Sequence, residues 1–518
     1  MAGTSVFQGS SWARILRDAV QIVPGRFFFL SLTGTPWDTQ SIHFFCTDQT
    51  FQYEPFFADF GPLSLGCIYK YAKLLESKLK EAEERQHILI HYSAMHPEKR
   101  ANAALLIGAA QMLLFGMSAQ EAYRPFLNIS PRFVPFRDAT CGPCSFKLTI
   151  LDCLKGLEFA MKLGWFEYKT FNVDEYDYYE KLKNGDMNWI IPSRILAFSC
   201  PSSATGNHDG YTTCTPEDYA NIFNNLGIKT VIRLNKKQYD ARKFTDRNIE
   251  HVDLFFVDGT CPSREIIQAF LQVVENRDHP IAVHCKAGLG RTGTLIGCYA
   301  IKNFKFPAVE WIGWNRLCRP GSILGPQQQF LTEIQHELLQ MNRENSIHTR
   351  RLHPSQSSKS LSSSSTSQKD DLADCLAKLS LDGRRVAEHG DAGQGERLLV
   401  AKRQQQAGLS AAASSTSSSA NGIDSGAQRK ILPLPLLLSR PLSSSTAPFS
   451  EVTVLFGVHL LKLHAIRSLT FCRGIVLRCW ICGFLSVHFR YHISVPTAFT
   501  NVSAEALAVA EIRSLPRC

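Results

Sequence analysis

Apolar residues along this chain change their period several times, and each change marks an element. Short runs of strand length, Arg26-Phe27-Phe28-Phe29-Leu30 and His87-Ile88-Leu89-Ile90, alternate with segments in which apolar positions recur every three to four residues, at 65–84 and 101–114. That alternation predicts an α/β domain over 1–165. A second set of strand-like runs, at 190–198, 230–234, 251–257 and 280–284, is separated by helix-period segments such as 262–274 and predicts another α/β domain over 190–345. Between them, 166–189 is acidic, rich in tyrosine and nearly without period, which reads as an interdomain linker. Beyond 345 the pattern stops. Nine serines fall among residues 353–368 and a Ser/Ala/Thr tract follows at 410–420, so 346–430 is expected to be a disordered tail that cannot bury enough apolar surface to fold. Residues 431–518 are apolar again, but arginines interrupt every candidate element and no structure is assigned to them.

Composition narrows the picture. With 518 residues the chain is too long for one compact domain, and with 44% hydrophobic residues it can form a sizeable core. The net charge of +10 is spread thinly and no long Lys/Arg run concentrates it, so no nucleic-acid partner is expected. The sixteen cysteines are scattered mostly singly through apolar stretches, the usage of a reducing compartment. Gln8, Arg14, Arg17 and Asp18 break any signal-peptide core, and the most apolar stretch, 479–489, is bounded by Arg478 and Arg490, so neither secretion nor a membrane partner is expected.

Two stretches resemble each other. His87-Ile88-Leu89-Ile90-His91-Tyr92-Ser93, followed by Lys99-Arg100-Ala101, parallels Pro280-Ile281-Ala282-Val283-His284-Cys285-Lys286, followed by Gly290-Arg291-Thr292. Both read as strand, loop, helix. The first has Tyr92 where the second has Cys285, and its spacing from histidine to arginine is two residues longer.

The second stretch carries the chemistry. In His284-Cys285-Lys286-Ala287-Gly288-Leu289-Gly290-Arg291-Thr292-Gly293 a cysteine follows an apolar strand, and an arginine opens a helix after a turn containing two glycines. Inward-facing amides from Lys286 to Gly290, with the positive end of the helix, suit a tetrahedral dianion. The same field is expected to lower the pKa of Cys285 and make it a thiolate nucleophile. Arg291 presents a planar fork to two phosphate oxygens. Thr292 is placed to hydrogen-bond the sulfur as leaving group. His284 is expected to point away from the pocket and fix the loop through its ring nitrogens.

Thiolate attack also needs a proton donor for the departing oxygen. Asp258, in Phe255-Phe256-Val257-Asp258-Gly259, follows a strand and sits beside a flexible glycine, so it is the candidate general acid and later the base that activates water. Asp253, within the strand itself, is the competitor. Gln327 and Gln328, in Gly325-Pro326-Gln327-Gln328-Gln329, offer amides to position that water, and the sequence does not choose between them.

Other readings compete. Gly288-x-Gly290-x-x-Gly293 satisfies the dinucleotide fingerprint, yet the acidic residue that pattern requires, Glu310, sits in a segment that begins like a helix. Cys141-Gly142-Pro143-Cys144 has redox spacing without a thioredoxin-like surrounding, so structural thiols fit better. A protein that holds phosphoproteins without turnover is the further rival, and the joint presence of Cys285, Arg291 and Asp258 speaks against it. The loop's single lysine, Lys286, argues against a multiply phosphorylated lipid.

These residues, together with Phe57-Ala58-Asp59-Phe60-Gly61-Pro62-Leu63, Pro135-Phe136-Arg137-Asp138-Ala139, Arg233-Leu234-Asn235-Lys236-Lys237 and Arg319-Pro320-Gly321-Ser322, give a chain that over 54–337 resembles the cell-division-cycle-fourteen family of dual-specificity protein phosphatases, within the cysteine-based protein tyrosine phosphatase superfamily. The resemblance implies two tandem phosphatase-like domains with the first inactive, and a metal-independent reaction without a cofactor. It implies phosphoprotein substrates of proline-directed, cyclin-dependent kinases, with phosphoserine before proline preferred and a basic residue beyond it. It also implies that Asp177, Glu180 and Asp186 line an acidic groove for that basic residue. Roles in mitotic exit, cytokinesis, centrosome or cilium biology and a nuclear and cytoplasmic location, extending to centrosome or spindle, follow from the same resemblance. In the tail, Leu372, Leu376, Leu379 and Leu381 have the spacing of a leucine-rich signal read by a nuclear export receptor, although a short amphipathic helix fits the same spacing.

Overall fold

The computed structural model describes residues 18–202, 213–351 and 393–417, together with the strands Ile475–Arg478 and Ser486–Phe489. The leucines 372–381 lie outside the described residues. The chain divides into two compact units, Met1–Asp424 and Ser425–Cys518. In the second, the two short strands pair antiparallel with Ile475 opposite Phe489.

Both predicted α/β domains are present in the first unit, each built on one sheet. The N-terminal sheet comprises β1 (Val20–Val23), β2 (Phe27–Leu32), β3 (Ile42–Phe45) and β4 (Ile88–Ala94) in the order β1-β2-β4-β3. The second comprises β5 (Met187–Ile191), β6 (Ile195–Phe198), β7 (Thr230–Arg233), β8 (Glu250–Asp253) and β9 (Ile281–His284) in the order β5-β6-β9-β7-β8. Each begins with an antiparallel edge strand and continues with parallel ones, so β1, β2, β4 and β3 occupy the places of β5, β6, β9 and β7. Registers agree as well: Phe29 lies opposite His91 and Phe198 opposite His284. The internal resemblance read from the sequence is therefore a repeat of topology, with Tyr92 in the place of Cys285.

Helices follow their polar and apolar patterning. Helix Leu65–Glu84 is capped by Ser64, whose hydroxyl accepts from the Cys67 N–H, and it buries Ile68, Tyr71, Ala72 and Leu75 at helical spacing. Helix Ile150–Lys162 starts at a reciprocal capping box between Thr149 and Asp152. The apolar run 190–198 differs from the expected single strand. It is two strands, because Ser193 takes a left-handed conformation (φ 57°) and turns β5 back onto β6. The linker is also more ordered than expected: Val173–Tyr179 is a short helix capped by Asn172, and β5 already starts at 187. A second departure lies in the tail, where Gln394–Ser417 is a helix within the stretch expected to lack structure.

The two domains share a tight seam. Helix Ile150–Lys162 of the first packs on helix Ala308–Cys318 of the second, and glycines set the distance. A Cβ at Gly156 would lie 2.3 Å from the Glu310 carbonyl oxygen, and one at Gly313 would lie 2.9 Å from Cys153 Cα. Trp311 and Trp314 are fully buried along this seam beside Trp165, and Trp314 Nε1 donates to the Ile190 carbonyl at 3.0 Å.

Candidate active site

β9 delivers Cys285 to the C-terminal edge of the second sheet, and helix Gly290–Phe304 starts five residues later. The turn between them is tight. Gly288 has φ +68°, and a Cβ there would lie 2.0 Å from the Phe198 carbonyl oxygen, so both conformation and space demand glycine. Arg319, fully buried after the Ala308–Cys318 helix, braces the loop from below: Nε donates to the Gly288 carbonyl and Nη2 to the Ala287 carbonyl, both at 2.9 Å. With those carbonyls turned outward to Arg319, the loop can face an anion with its amides.

The predicted loop residues converge. Cys285 is 3% exposed. Arg291 is buried, and its Nη1 donates to the Phe256 carbonyl at 2.9 Å, which fixes the fork at the mouth of the sheet. Asp258 Oδ1 stands 3.2 Å from Arg291 Nη2, so the candidate acid and the candidate phosphate ligand share one cleft. Asp258 occupies a turn whose Gly259 has φ +76°. Asp253 is excluded as the competitor: its carboxylate is held by Arg233 at 2.6 and 2.8 Å, a bidentate pair that braces β7 against β8.

His284 plays the expected supporting part. Its Nδ1 donates to the Cys285 carbonyl at 2.8 Å and its Nε2 accepts from the Tyr239 hydroxyl at 2.7 Å, so the ring locks the nucleophile's backbone from behind. The hydroxyl in turn accepts from His251 Nε2 at 3.0 Å. Burial holds His284 well below the usual imidazole range, hence neutral, the state this chain of bonds requires. Thr292 departs from expectation. Its hydroxyl oxygen is buried without a hydrogen-bond partner, so the bond to sulfur is not formed in this conformation.

The two glutamines separate. Gln327 lies against Gly290 at the start of the loop helix, and its Nε2 donates to the Thr260 carbonyl at 3.0 Å, so it ties the catalytic loop to the acid turn. Gln328 is committed elsewhere: its Oε1 accepts from buried Arg316 at 2.6 Å, which removes it from the site. The acidic set also divides. Asp186 is fully buried and accepts from Arg319 Nη1 at 2.9 Å, so one arginine links this carboxylate to the catalytic loop. Burial raises the pKa of neighbouring Glu180, opposed by Lys402 and Arg319 and reinforced by Asp177 and Asp186. Asp177 is turned toward the first domain, where it pairs with Lys70.

The matching loop of the first domain is a different object. β4 runs on through Tyr92 to Ala94 and pairs with β2 at Leu30, Ser31 and Leu32, and helix Pro97–Phe115 starts three residues later. Amides that would face an anion are spent on the sheet, and the Ala94 N–H donates to Asp48 at 2.8 Å. Arg100 donates to Ser31 Oγ at 3.0 Å and to the Pro131 carbonyl at 2.8 Å, which makes it a strut. The dinucleotide reading fails as well, since Glu310 lies in helix Ala308–Cys318 and not at a strand end. Cys141 and Cys144 are free thiols. Among the described residues no cluster of side chains is disposed to hold a metal ion, and no helix is long and apolar enough to cross a membrane.

Comparison with known proteins places this arrangement. Residues 21–160 match the family model described as dual specificity protein phosphatase, N-terminal half, and residues 205–305 match one described as polymorphic toxin system, DSP-PTPase phosphatase. The chain is 47% identical over 321 residues to the dual specificity protein phosphatase CDC14A of Homo sapiens, covering 62% of this chain and 54% of that protein. It is 44% identical over 316 residues to human CDC14C, covering 61% of this chain and 71% of that protein. The chain belongs to the CDC14 family of dual specificity phosphatases. The tyrosine-protein phosphatase cdc-14 of Caenorhabditis elegans is 41% identical over 307 residues, with coverage of 58% and 43%. The chain spans about half the length of several such CDC14 relatives. The first matched family model falls on the N-terminal sheet, and the second takes in β7, β8 and β9 with the acid turn and the whole catalytic loop.

Sequence reasoning missed Arg319 and Tyr239 as site residues. Both act through other residues, and Arg319 was visible only as part of Arg319-Pro320-Gly321-Ser322.

Proposed function

We propose that this CDC14-family chain is an active phosphoprotein phosphatase working through a cysteinyl-phosphate intermediate. The observation that carries this reading is the shared cleft of Cys285, Arg291 and Asp258, with the Asp258 carboxylate 3.2 Å from the Arg291 fork. In the first step the Cys285 thiolate attacks phosphorus. The bond to the serine, threonine or tyrosine oxygen breaks, and Asp258 supplies the proton to that oxygen. Arg291 and the loop amides hold the three equatorial oxygens as charge builds on them. In the second step Asp258 takes a proton from water, which attacks phosphorus and releases the thiolate. In this reading Gln327, which already bridges the acid turn and the loop helix, is the glutamine that positions that water. Thr292, whose buried hydroxyl lacks a partner here, is the donor available to the sulfur when it leaves.

The preferred substrates in this reading are phosphoserine-proline sites made by cyclin-dependent kinases, with a basic residue beyond them seated at Glu180 and Asp186. Roles in mitotic exit, cytokinesis or centrosome and cilium regulation, and residence in nucleus and cytoplasm with recruitment to centrosome or spindle, belong to the same proposal. The test is phosphate release by the full chain from two peptides that differ only in proline or alanine after phosphoserine, with Cys285→Ser as blank. Faster turnover of the proline peptide, lost in the variant, is the expected result. Tight binding of both peptides without release would make the chain a phosphoprotein-binding pseudoenzyme.

A further inference from the structure

The turn that carries Gln327 is held from the other domain. In the first domain Phe136 and Leu148 form an isolated antiparallel bridge, with the Phe136 N–H donating to the Leu148 carbonyl at 2.8 Å, and the chain between them loops out. Asp138, 2% exposed at the start of that loop, accepts on Oδ2 from the Gly325 N–H of the second domain at 2.6 Å. The Thr140 hydroxyl donates to the same oxygen. Burial acts to raise the Asp138 carboxyl, but the bonds from Thr140 and Gly325, with Cys144 and the charge of Arg316, outweigh it and hold the group below the usual carboxylate range. Gly325 directly precedes helix Pro326–Arg351, whose own first turn has no acidic residue, so a carboxylate of the first domain stands at the positive end of a helix of the second.

Stretch 322–328 needs holding. Ile323 is buried and β-branched yet takes a left-handed conformation (φ 60°), and Gly325 does the same (φ 52°). Buried Arg316 grips the near side, with Nε donating to the Ser322 carbonyl at 2.9 Å and Nη2 to the Ile323 carbonyl at 2.8 Å. Both polar groups of Gly325 are engaged: the N–H by Asp138, and the carbonyl by the Gln328 N–H at 3.3 Å and Nε2 at 3.2 Å. From that pivot Gln327 folds back, its Oε1 accepting from the Leu324 N–H at 3.2 Å and its Nε2 donating to the Thr260 carbonyl at 3.0 Å. A continuous path of bonds thus runs from a carboxylate of the domain without the cysteine, through Gly325 and Gln327, to the acid turn.

We propose that Asp138 is a positioning residue for the second chemical step: it fixes Gly325, and through it holds Gln327 where water is directed at the cysteinyl phosphate. This rests on the reading of the cleft as a phosphatase site with Gln327 at the water. In that step the water oxygen bonds to phosphorus as the P–S bond breaks, and the water's proton goes to Asp258. In the first step the leaving oxygen fills the place the water takes later, so thiolate attack proceeds without the glutamine.

The test is rapid-mixing kinetics of the full chain on an activated aryl phosphate, for the parent, Asp138→Ala, Asp138→Asn, Gln327→Ala and the double variant Asp138→Ala with Gln327→Ala. Release of the aryl alcohol reports the first step, and its burst amplitude counts folded sites. Asp138→Ala should show the parent's first-turnover rate followed by a steady rate about tenfold or more lower, with KM falling in parallel so that kcat/KM is kept. Asp138→Asn retains an oxygen for the Gly325 N–H and should stay within about threefold of the parent. In the Gln327→Ala background the loss of Asp138 should cost little more, because one residue acts through the other. Asp138→Ser, which leaves a hydroxyl for Thr140 but stops short of Gly325, replaces Asp138→Ala if that variant does not fold. Parent-like kcat in Asp138→Ala, or a lower kcat/KM at unchanged KM, overturns the proposal and leaves the phosphatase reading standing. Full additivity in the double variant overturns it as well, as does parent-like turnover by Gln327→Ala. A parent that releases neither aryl alcohol nor phosphate overturns the phosphatase reading, and the proposal falls with it.

Discussion

The two halves of this molecule carry the same sheet order and the same histidine register, and only one of them leaves a free loop between its strand and the next helix. The difference lies in where the strand stops. β9 ends at His284 and leaves five residues free to turn, whereas β4 continues past Tyr92 and spends its amides on β2. Losing the nucleophile is the lesser change in the first half. Its loop backbone has been absorbed into the sheet and its arginine converted to a brace between Ser31 and Pro131.

The largest effect expected from that contrast is at the equivalent positions themselves. Cys285→Ser should reduce phosphate release by at least about 10³-fold, while Tyr92→Phe, in single-turnover and steady-state assays, should change it less than about twofold. Next, Asp258→Asn should lower kcat by about 10² to 10⁴-fold on alkoxide-leaving substrates, and the alkaline limb of the pH–rate profile, where a proton donor is lost, should disappear with it. An activated aryl phosphate, which needs less protonation of its leaving group, should be affected less. If Asp258→Asn leaves the profile unchanged, the acid lies elsewhere.

Where the halves agree, their response to pH should agree too. Burial lowers His91 to about 3 and His284 well below the usual range, so both remain neutral in the folded chain while the unfolded chain takes up protons. Depressed values of this kind contribute stability above the unfolded imidazole pKa and lose it as pH falls. Unfolding free energies from denaturant titrations should therefore drop between about pH 6.5 and pH 5, by up to about 2 kcal/mol per histidine. His91→Gln should flatten that slope. The smallest effect is a predicted absence: Tyr92→Cys in the Cys285→Ser background should restore no turnover, because a thiol added to a strand has no amide cradle. Recovered release there would mean the β4 backbone reopens into a loop.

Much of this site could be read from one contiguous stretch, since the catalytic loop packs its nucleophile, amides and arginine into seven residues. Asp258 was legible because a strand end followed by glycine is a local signal. Its rejected competitor needed the structure, because only the sheet brings Arg233 beside Asp253. Arg319 and Gln328 were not separable by sequence: one reaches back some thirty residues to brace the loop, and the other is captured by a buried arginine. Ser193 hid a hairpin inside an apolar run, since nothing in its side chain announces a left-handed backbone. The tail helix was least visible. Its Ser/Ala-rich composition argues for disorder, and its few anchoring residues gain meaning only against the surface that Leu398 and Lys402 meet.

The glycine seam between helices 150–162 and 308–318 makes the two halves one body. Where the Glu310 carbonyl occupies the space a side chain at 156 would need, the first half cannot be pared away without stripping cover from the tryptophans beside Ile190. A half with Tyr92 in the place of the cysteine thus serves as the other half's wall, and its sequence answers to shape rather than to chemistry.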